Sequence, residues 1–342
     1  MTNKQLAEYC HISPTAFSLI INQKPGVSDA TRMRVINELK ALGITNIISN
    51  ASKPAEKKVK NICFVIYKKD GAILNVQPFF MLLMENLEKR ARKYGYNIIL
   101  QTVEKQSSME DQIQYINSLT ADGAIIFATE MSDDDIHDFD MLSKPLLAMD
   151  NNFSHLPVNS VSIDNQMGTY QAVEFLVNNG HTKIGYLAGK SRISSFIERE
   201  KGYREALHSF HIDLDPDYCY QLACSEEGSY QEFREILKRS PKLPTAFVSD
   251  DDVITAGVIR ALKEFNISVP SDISMIGYND RPICEITYPK LTTISVSKNS
   301  FAIEAIDSLM SILEKIGENI EYRSTKCRIQ TKLLIRESVK SI

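Results

Sequence analysis

Two acidic runs, a pair of histidines and six cysteines are the residues of this chain whose spacing could do chemistry. Asp250–Asp252 follows the apolar run TAFVS (245–249) directly. It therefore stands at the carboxyl edge of a buried strand, where α/β folds bind ligands, and it is a binding candidate. Asp133–Asp135 precedes a helical pattern and reads as a cap in favourable interaction with the helix dipole. His208 and His211 lie three apart at a helix end and could share a metal. Without a carboxylate helper nearby, a solvated helix end is the preferred reading. Cys10, Cys63, Cys219, Cys224, Cys284 and Cys327 form no Cys-x-x-Cys pair, so they signal neither zinc nor a disulfide framework and read as reduced small hydrophobes. The chain contains no G-x-G-x-x-G after a strand, no phosphate-cradling G-x-x-x-x-G-K-[ST] and no nucleophile elbow. No enzyme activity, cofactor or metal is expected.

The elements that must position such residues fall into two unequal parts. With 342 residues, 43% of them hydrophobic and 24% charged, the chain is long enough for two or three domains with sizeable cores. Its net charge of −4 conceals a split: residues 1–60 hold nine basic against four acidic side chains, and the remainder is −9. A basic head on an acidic body suggests a polyanion-binding module carried by a domain with another task. No stretch reaches the roughly 18 apolar residues of a membrane span, and the start MTNKQLAEYC lacks the apolar centre of a signal peptide, so a cytoplasmic location and no membrane partner are expected.

In the head, Leu6, Ala7 and Cys10 form one apolar stripe. Ser13 caps a second helix that opens on Pro14, in which Phe17, Ile20 and Ile21 share one face and Thr15, Ser18, Leu19 and Asn22 the other. Ser28 caps a third helix with the stripe Val35, Ile36, Leu39 and Leu42, stopped by Gly43. Two helices joined by a tight turn and braced by a third make a helix-turn-helix, whose second helix enters the DNA major groove; a generic three-helix cap fits the same pattern. From Asn61 onward, buried-strand patterns at 62–67, 97–100, 123–128, 145–149, 183–189, 245–249 and 273–278 alternate with helical patterns. The latter run Pro78–Tyr94, Met109–Leu119, Gln166–Asn179, Ser195–Phe210, Tyr230–Lys238 and Val253–Phe265. The fold class is α/β, with parallel sheets covered on both faces in two similar lobes.

The run from Lys4 to Gly43, centred on SPTAFSLIINQKPGVSDATRMRVINELKALG, closely resembles the DNA-binding headpiece of the LacI/GalR family. The resemblance implies that Ser13, Ser18, Asn22, Ser28 and Thr31 contact phosphates and that Pro14, Thr15 and Leu19 face base edges. Three departures stand out. Leu19 replaces the family's usual recognition-helix arginine and offers only apolar contact to a thymine methyl. His11 replaces the turn glycine, in a position that asks for a left-handed conformation. In the linker ITNIISNASKPAEKKVK (44–60), Lys53 before Pro54 stands where relatives place a minor-groove leucine. Ile47 or Ile48 could substitute as the wedge, and a basic tether with Lys57, Lys58 and Lys60 near phosphates is the alternative.

The resemblance continues through VSIDNQMGTYQAVEFLVNNGHTKIGYLAG (161–189), REKGYREAL (199–207), PTAFVSDDDVITAGVIRALKEFNISVPSDISMIGYND (244–280) and PKLTTI (289–294). It implies a periplasmic-binding-protein-like core with a ligand between two lobes. The implied organisation is a helix-turn-helix domain at 1–44, a linker at 45–60 and an effector core at 61–342. The first lobe takes about 61–160 and 292–321, the second about 161–291 and 322–342, with crossovers near Ser160, Leu291 and Tyr322. A polyhydroxylated ligand needs hydroxyl acceptors, a guanidinium fork and an aromatic face. Family positions assign these to Asp150, Arg199, Asp251 and Asn279, with Phe79, Phe80 and Tyr230 facing the ring; core packing is the alternative for Phe79 and Phe80. The family usually has Asn then Asp where this chain has Asp251 and Asn279.

The expectation is a sequence-specific DNA-binding regulator, a repressor, that reads a pseudo-palindromic operator in double-stranded DNA as a homodimer and responds to a small sugar-like effector. A cytoplasmic sugar-binding protein without a DNA role, and a regulator responsive to purines or nucleosides, are the alternatives.

Overall fold

A computed structural model describes residues 2–22, 24–44, 59–71, 73–74 and 79–342, except for the side chains of 79–82. The expectations placed on Ile47, Ile48, Lys53, Pro54, Lys57 and Lys58 lie outside the described residues. The chain forms two compact units, Met1–Val59 and Lys60–Ile342.

The first unit contains α1 (Asn3–Tyr9), α2 (Pro14–Ile21) and α3 (Asp29–Ala41). Each start is fixed by a hydroxyl side chain that accepts an otherwise orphaned N–H: Thr2 from Gln5, Ser13 from Ala16 and Ser28 from Thr31. Leu6, Ala7, Cys10, Phe17, Ile20, Val35, Ile36 and Leu39 meet in one small core. His11 takes the left-handed conformation its position asks for, with φ 52°.

The second unit alternates strands with helices. Its first half runs β1 (Lys60–Lys68), α4 (Phe79–Lys93), β2 (Tyr96–Glu104), α5 (Met109–Ser118), β3 (Gly123–Phe127), β4 (Leu146–Met149), β5 (Ser160–Ile163), α6 (Asn165–Asn178), β6 (Ile184–Gly189) and α7 (Ser194–Ser209). The chain continues through β7 (Cys219–Leu222), α8 (Glu226–Leu237), β8 (Ala246–Ser249), α9 (Asp252–Glu264), β9 (Ser274–Asn279), the single turn α10 (Ile283–Ile286) and β10 (Thr292–Ser295). It ends with α11 (Lys298–Gly317), β11 (Lys326–Ile329) and β12 (Lys332–Leu334). One sheet has the order β11-β5-β4-β3-β1-β2 and the other β12-β10-β9-β8-β6-β7. Every residue of β3, β5, β6 and β8 is buried, as strands covered on both faces require.

The three chain crossings fall later than expected. β5 completes in the first sheet, β10 joins the second and β11 returns to the first. The chain therefore changes lobe after Ile163 rather than near Ser160, after Ser295 rather than near Leu291, and between Ile329 and Lys332 rather than near Tyr322. Strands of three or four residues have no periodicity that marks their sheet; pairing partners decide it. β12 also pairs antiparallel with β10, an edge exception to the parallel pattern. Helix α11 lies outside the six expected helices, although Phe301, Ala305, Ile306, Leu309 and Ile312 make a regular buried stripe. Helices α6 and α7 approach so closely that a Cβ on Gly202 would come within 2.1 Å of the Gln166 carbonyl oxygen, so only glycine fits there.

Candidate functional site

The carboxyl ends of strands from both sheets converge on a buried cavity of about 30 Å³ lined by Ile73, Thr129, Asp150, Ile163, Ile193, Ser195, Phe196, Arg199, Asp251, Asn279 and Val296. Four of the seven residues assigned to an effector are brought together here: Asp150, Arg199, Asp251 and Asn279. Its volume suits on the order of one or two waters. Beyond it opens a cavity of about 480 Å³, and Ile73 and Ile193 line both.

Asp150 follows β4 with φ 68°, and its carboxylate accepts the Thr129 hydroxyl at 2.6 Å. Burial pushes its pKa up to about 6, against the lowering pull of that hydroxyl and of the Arg199 charge. Arg199, 4% exposed on α7, donates from Nε to Asn165 Oδ1 at 2.9 Å, from Nη2 to Asn279 Oδ1 at 3.3 Å and from Nη1 to the Asp250 carbonyl. Its guanidinium carbon lies 3.7 Å from the Tyr278 ring centroid and 5.4 Å from that of Phe196.

The acidic run after β8 divides its work. Asp250 accepts from the Tyr186 hydroxyl, from the Gly189 N–H at 2.8 Å and from Arg192 at 3.0 Å. Asp251 caps α9 through the Val253 N–H at 3.0 Å and accepts from Asn279 Nδ2 at 2.7 Å and Arg281 at 2.6 Å. Asp252 accepts from the Thr293 hydroxyl at 2.6 Å and the Arg281 N–H at 2.8 Å. Burial raises Asp250 to about 6; burial and the neighbouring Asp251 charge raise Asp252 to about 7. Only Asp251 of the three lines the small cavity. Among the described residues no group of three or more His, Cys, Asp or Glu could hold a metal ion.

Tyr230 does not join the cavity. It sits on α8 facing α9, its hydroxyl donating to Glu264 at 2.7 Å and its ring 3.8 Å from the Arg260 guanidinium. Helix α8 begins at Glu226, four residues earlier than its expected start, and Tyr230 lies one turn into it on the α8–α9 contact. Phe196, one turn before Arg199 on the same helix, supplies the aromatic wall instead. Phe79 and Phe80 open α4, and their side chains lie outside the described set. Asp135, expected as a cap, is instead a buried ion-pair centre that accepts from Lys69 at 2.9 Å and from the Ser132 N–H at 2.8 Å. No side-chain cap bond forms at that helical turn.

In the three-helix unit, Thr15, Ser18 and Asn22 share the exposed face of α2, with Leu19 half-buried between them. A Cβ on Gly26 would stand 3.3 Å from Leu19 Cδ1, so the loop after α2 backs onto this side chain. Ser13 and Pro14 are exposed at the helix start. Asn22 Nδ2 donates to the Ser18 carbonyl at 2.9 Å and lies 3.2 Å from its hydroxyl, while the Ser28 and Thr31 hydroxyls are 2.8 Å apart at the start of α3. Two arginines of α3, Arg32 half-buried and Arg34 exposed, bond to the backbone of their own unit, a role that sequence reasoning missed. Arg32 donates to the carbonyls of Ile20 at 3.1 Å and Lys24 at 2.8 Å, and Arg34 to that of Cys10 at 3.2 Å, closing the ends of α2 and α1.

Residues 173–339 match the family described as a periplasmic binding protein-like domain. The HTH-type transcriptional repressor PurR of Actinobacillus pleuropneumoniae serotype 3 (strain JL03) is 26% identical over 344 residues, covering 100% of this chain and 99% of the relative. PurR of Haemophilus influenzae (strain PittEE) is 27% identical over 349 residues with the same coverage. Among solved structures, the lac repressor dimer bound to operator and the anti-inducer ONPF shares the fold at TM-score 0.74 and 24% identity, over 99% of both chains. The transcriptional regulator CelR in complex with cellobiose does so at TM-score 0.71 and 23% identity, also over 99% of both. A LacI family regulator from Enterococcus faecium with bound ribose covers 82% of this chain and 99% of its own, at TM-score 0.67 and 24% identity.

Proposed function

We propose that this protein is a regulator of the LacI/GalR type, a sequence-specific DNA-binding repressor whose operator affinity is set by a small sugar-like effector held between the two lobes of its core. The observation that carries this reading is the meeting of Asp150 from the first lobe with Arg199, Asp251 and Asn279 from the second at a single cavity. Carboxylates accept from sugar hydroxyls, the guanidinium and the Asn279 amide donate, and Phe196 covers an apolar ring face. The inner cavity is smaller than any sugar, so a ligand there holds the lobes further apart or extends into the larger outer cavity. An effector that favours one lobe angle shifts DNA affinity by the same coupling free energy.

On the DNA side, the exposed face of α2 enters the major groove. Ser13, Ser18, Asn22, Ser28 and Thr31 meet phosphates, and Pro14, Thr15 and Leu19 meet base edges. A homodimer presents two such helices to a pseudo-palindromic operator, and the protein acts in the cytoplasm.

A thermal-shift screen of sugars, nucleosides and purines, repeated with Arg199→Ala, tests the effector. A shift of several degrees with a sugar that vanishes in the variant is expected, and a shift with purines alone would overturn the sugar reading. Fluorescence anisotropy with duplexes from the protein's own promoter region tests the other half. Binding no tighter than to random duplex at matched salt would sink the repressor assignment.

A further inference from the structure

Glu130 is 6% exposed and lies just past β3, yet among the described residues no cationic side chain pairs with it. Its two carboxylate oxygens take four backbone N–H groups from the segment after β1. Oε2 accepts from Lys69 at 3.0 Å and Gly71 at 2.9 Å; Oε1 accepts from Ile73 at 2.9 Å and Leu74 at 3.0 Å. These four donors, among the described residues, match the roughly four lone-pair sites of a carboxylate, and charge-assisted bonds are the strong ones. The segment so held delivers Ile73, 3% exposed, which lines both the inner and the outer cavity.

The turn that carries Glu130 is itself braced. Asn151 Nδ2 donates to the Met131 carbonyl at 2.7 Å, and the Met131 N–H donates to the Ala128 carbonyl at 3.0 Å. The preceding residue, Thr129, holds Asp150 in the inner cavity. Adjacent side chains of one turn thus fix two walls of the cleft: Thr129 the carboxylate, Glu130 the aliphatic partition.

We propose that Glu130 is a positioning residue that fixes Ile73 as the partition between the two cavities and thereby sets the size of ligand the cleft admits. The inference rests on the reading of this cleft as the effector site. It predicts that the Ile73 side chain penalises ligands that extend from the inner into the outer cavity.

Two measurements test it on the full-length protein. In hydrogen exchange, the amides of Lys69, Gly71, Ile73 and Leu74 should exchange about tenfold or more faster in Glu130→Gln, where one acceptor oxygen becomes a donor facing other donors, while β3 amides stay unchanged. In calorimetric titrations with D-ribose and cellobiose, Glu130→Gln and Ile73→Ala should each shift the affinity ratio about tenfold toward the larger sugar. A merely structural role would move both sugars together. Unchanged exchange, or parallel loss of both affinities, overturns the proposal. Ile73→Ala leaves the four bonds in place and carries the size test alone should Glu130→Gln fail to fold. If the wild type binds neither of these sugars nor any other in the thermal-shift screen, the sugar-effector reading is what fails, and the exchange data decide the role of Glu130.

Discussion

The two walls of the cleft are built to different standards. On the second-lobe wall, Arg199, Asn279, Asp251 and Arg281 bond to one another or to the backbone in a continuous network, and the Arg281–Asp251 pair at 2.6 Å has side chains only 6% and 3% exposed. On the first-lobe wall, among the described residues, the Asp150 side chain accepts from one hydroxyl, that of Thr129. The difference teaches where binding energy is available: a densely bonded network is rigid and contributes shape, whereas a carboxylate with spare acceptor capacity gains most from a ligand hydroxyl.

The largest expected effect tests the rigid wall. Arg281→Ala strands the Asp251 carboxylate in a buried site and should cost about 3–5 kcal/mol of stability in urea unfolding. A loss below about 1 kcal/mol would break the comparison, because the network would then hold without its central pair.

The sparse wall should respond in the opposite sense. Asp150→Asn removes a carboxyl that holds its proton more tightly folded than unfolded, its pKa being raised to about 6 by burial. That group favours folding below the ordinary aspartate range and progressively less as pH rises toward 6, so the variant should be no less stable than wild type at pH 7. Effector affinity should fall about 10–100-fold. In wild type it should weaken as pH falls through 6, and the difference between the two proteins across that range isolates Asp150 from Asp250 and Asp252, which both retain.

The smallest effect sharpens the contrast. Thr129→Val removes the hydroxyl that donates to Asp150 and should cost about 1 kcal/mol, while the pH midpoint of effector binding moves upward because the charged carboxylate loses its support. An unmoved midpoint would mean that Arg199's field, not the hydroxyl, governs this carboxyl.

Apolar-rich elements were legible in the sequence and short polar strands were not. Runs such as ISMIGY and TAFVS announce buried central strands because apolar residues dominate them between turn signals, as suits a strand covered on both faces. β5, β10, β11 and β12 are three or four residues long and contain serine, threonine or lysine; their strand character comes from pairing, so sequence misplaced the lobe crossings. In the site, Asp150, Arg199, Asp251 and Asn279 were assigned from family positions, and the fold brings them together. Thr129, Phe196 and Glu130 escaped notice because a lone threonine, an aromatic on a helix and an acid after a strand have many ordinary roles. The signal for Phe196 was its spacing of three from Arg199 on one helix face.

The backbone-bonded arginines of the three-helix unit bear on how a DNA complex of this protein would respond to salt. Residues 1–44 contain five basic side chains, and Arg32 and Arg34 are tied to carbonyl groups of their own unit. Lys4, Lys24 and Lys40 are the other three cations of this stretch, while Lys53, Lys57, Lys58 and Lys60 follow in the connecting sequence. Counterion release scales with the number of phosphates neutralised, by about 0.9 per contact in the logarithmic salt slope. The isolated headpiece should therefore have a shallow slope, and most of the ionic-strength dependence of the whole protein should reside in the lysines of the connector.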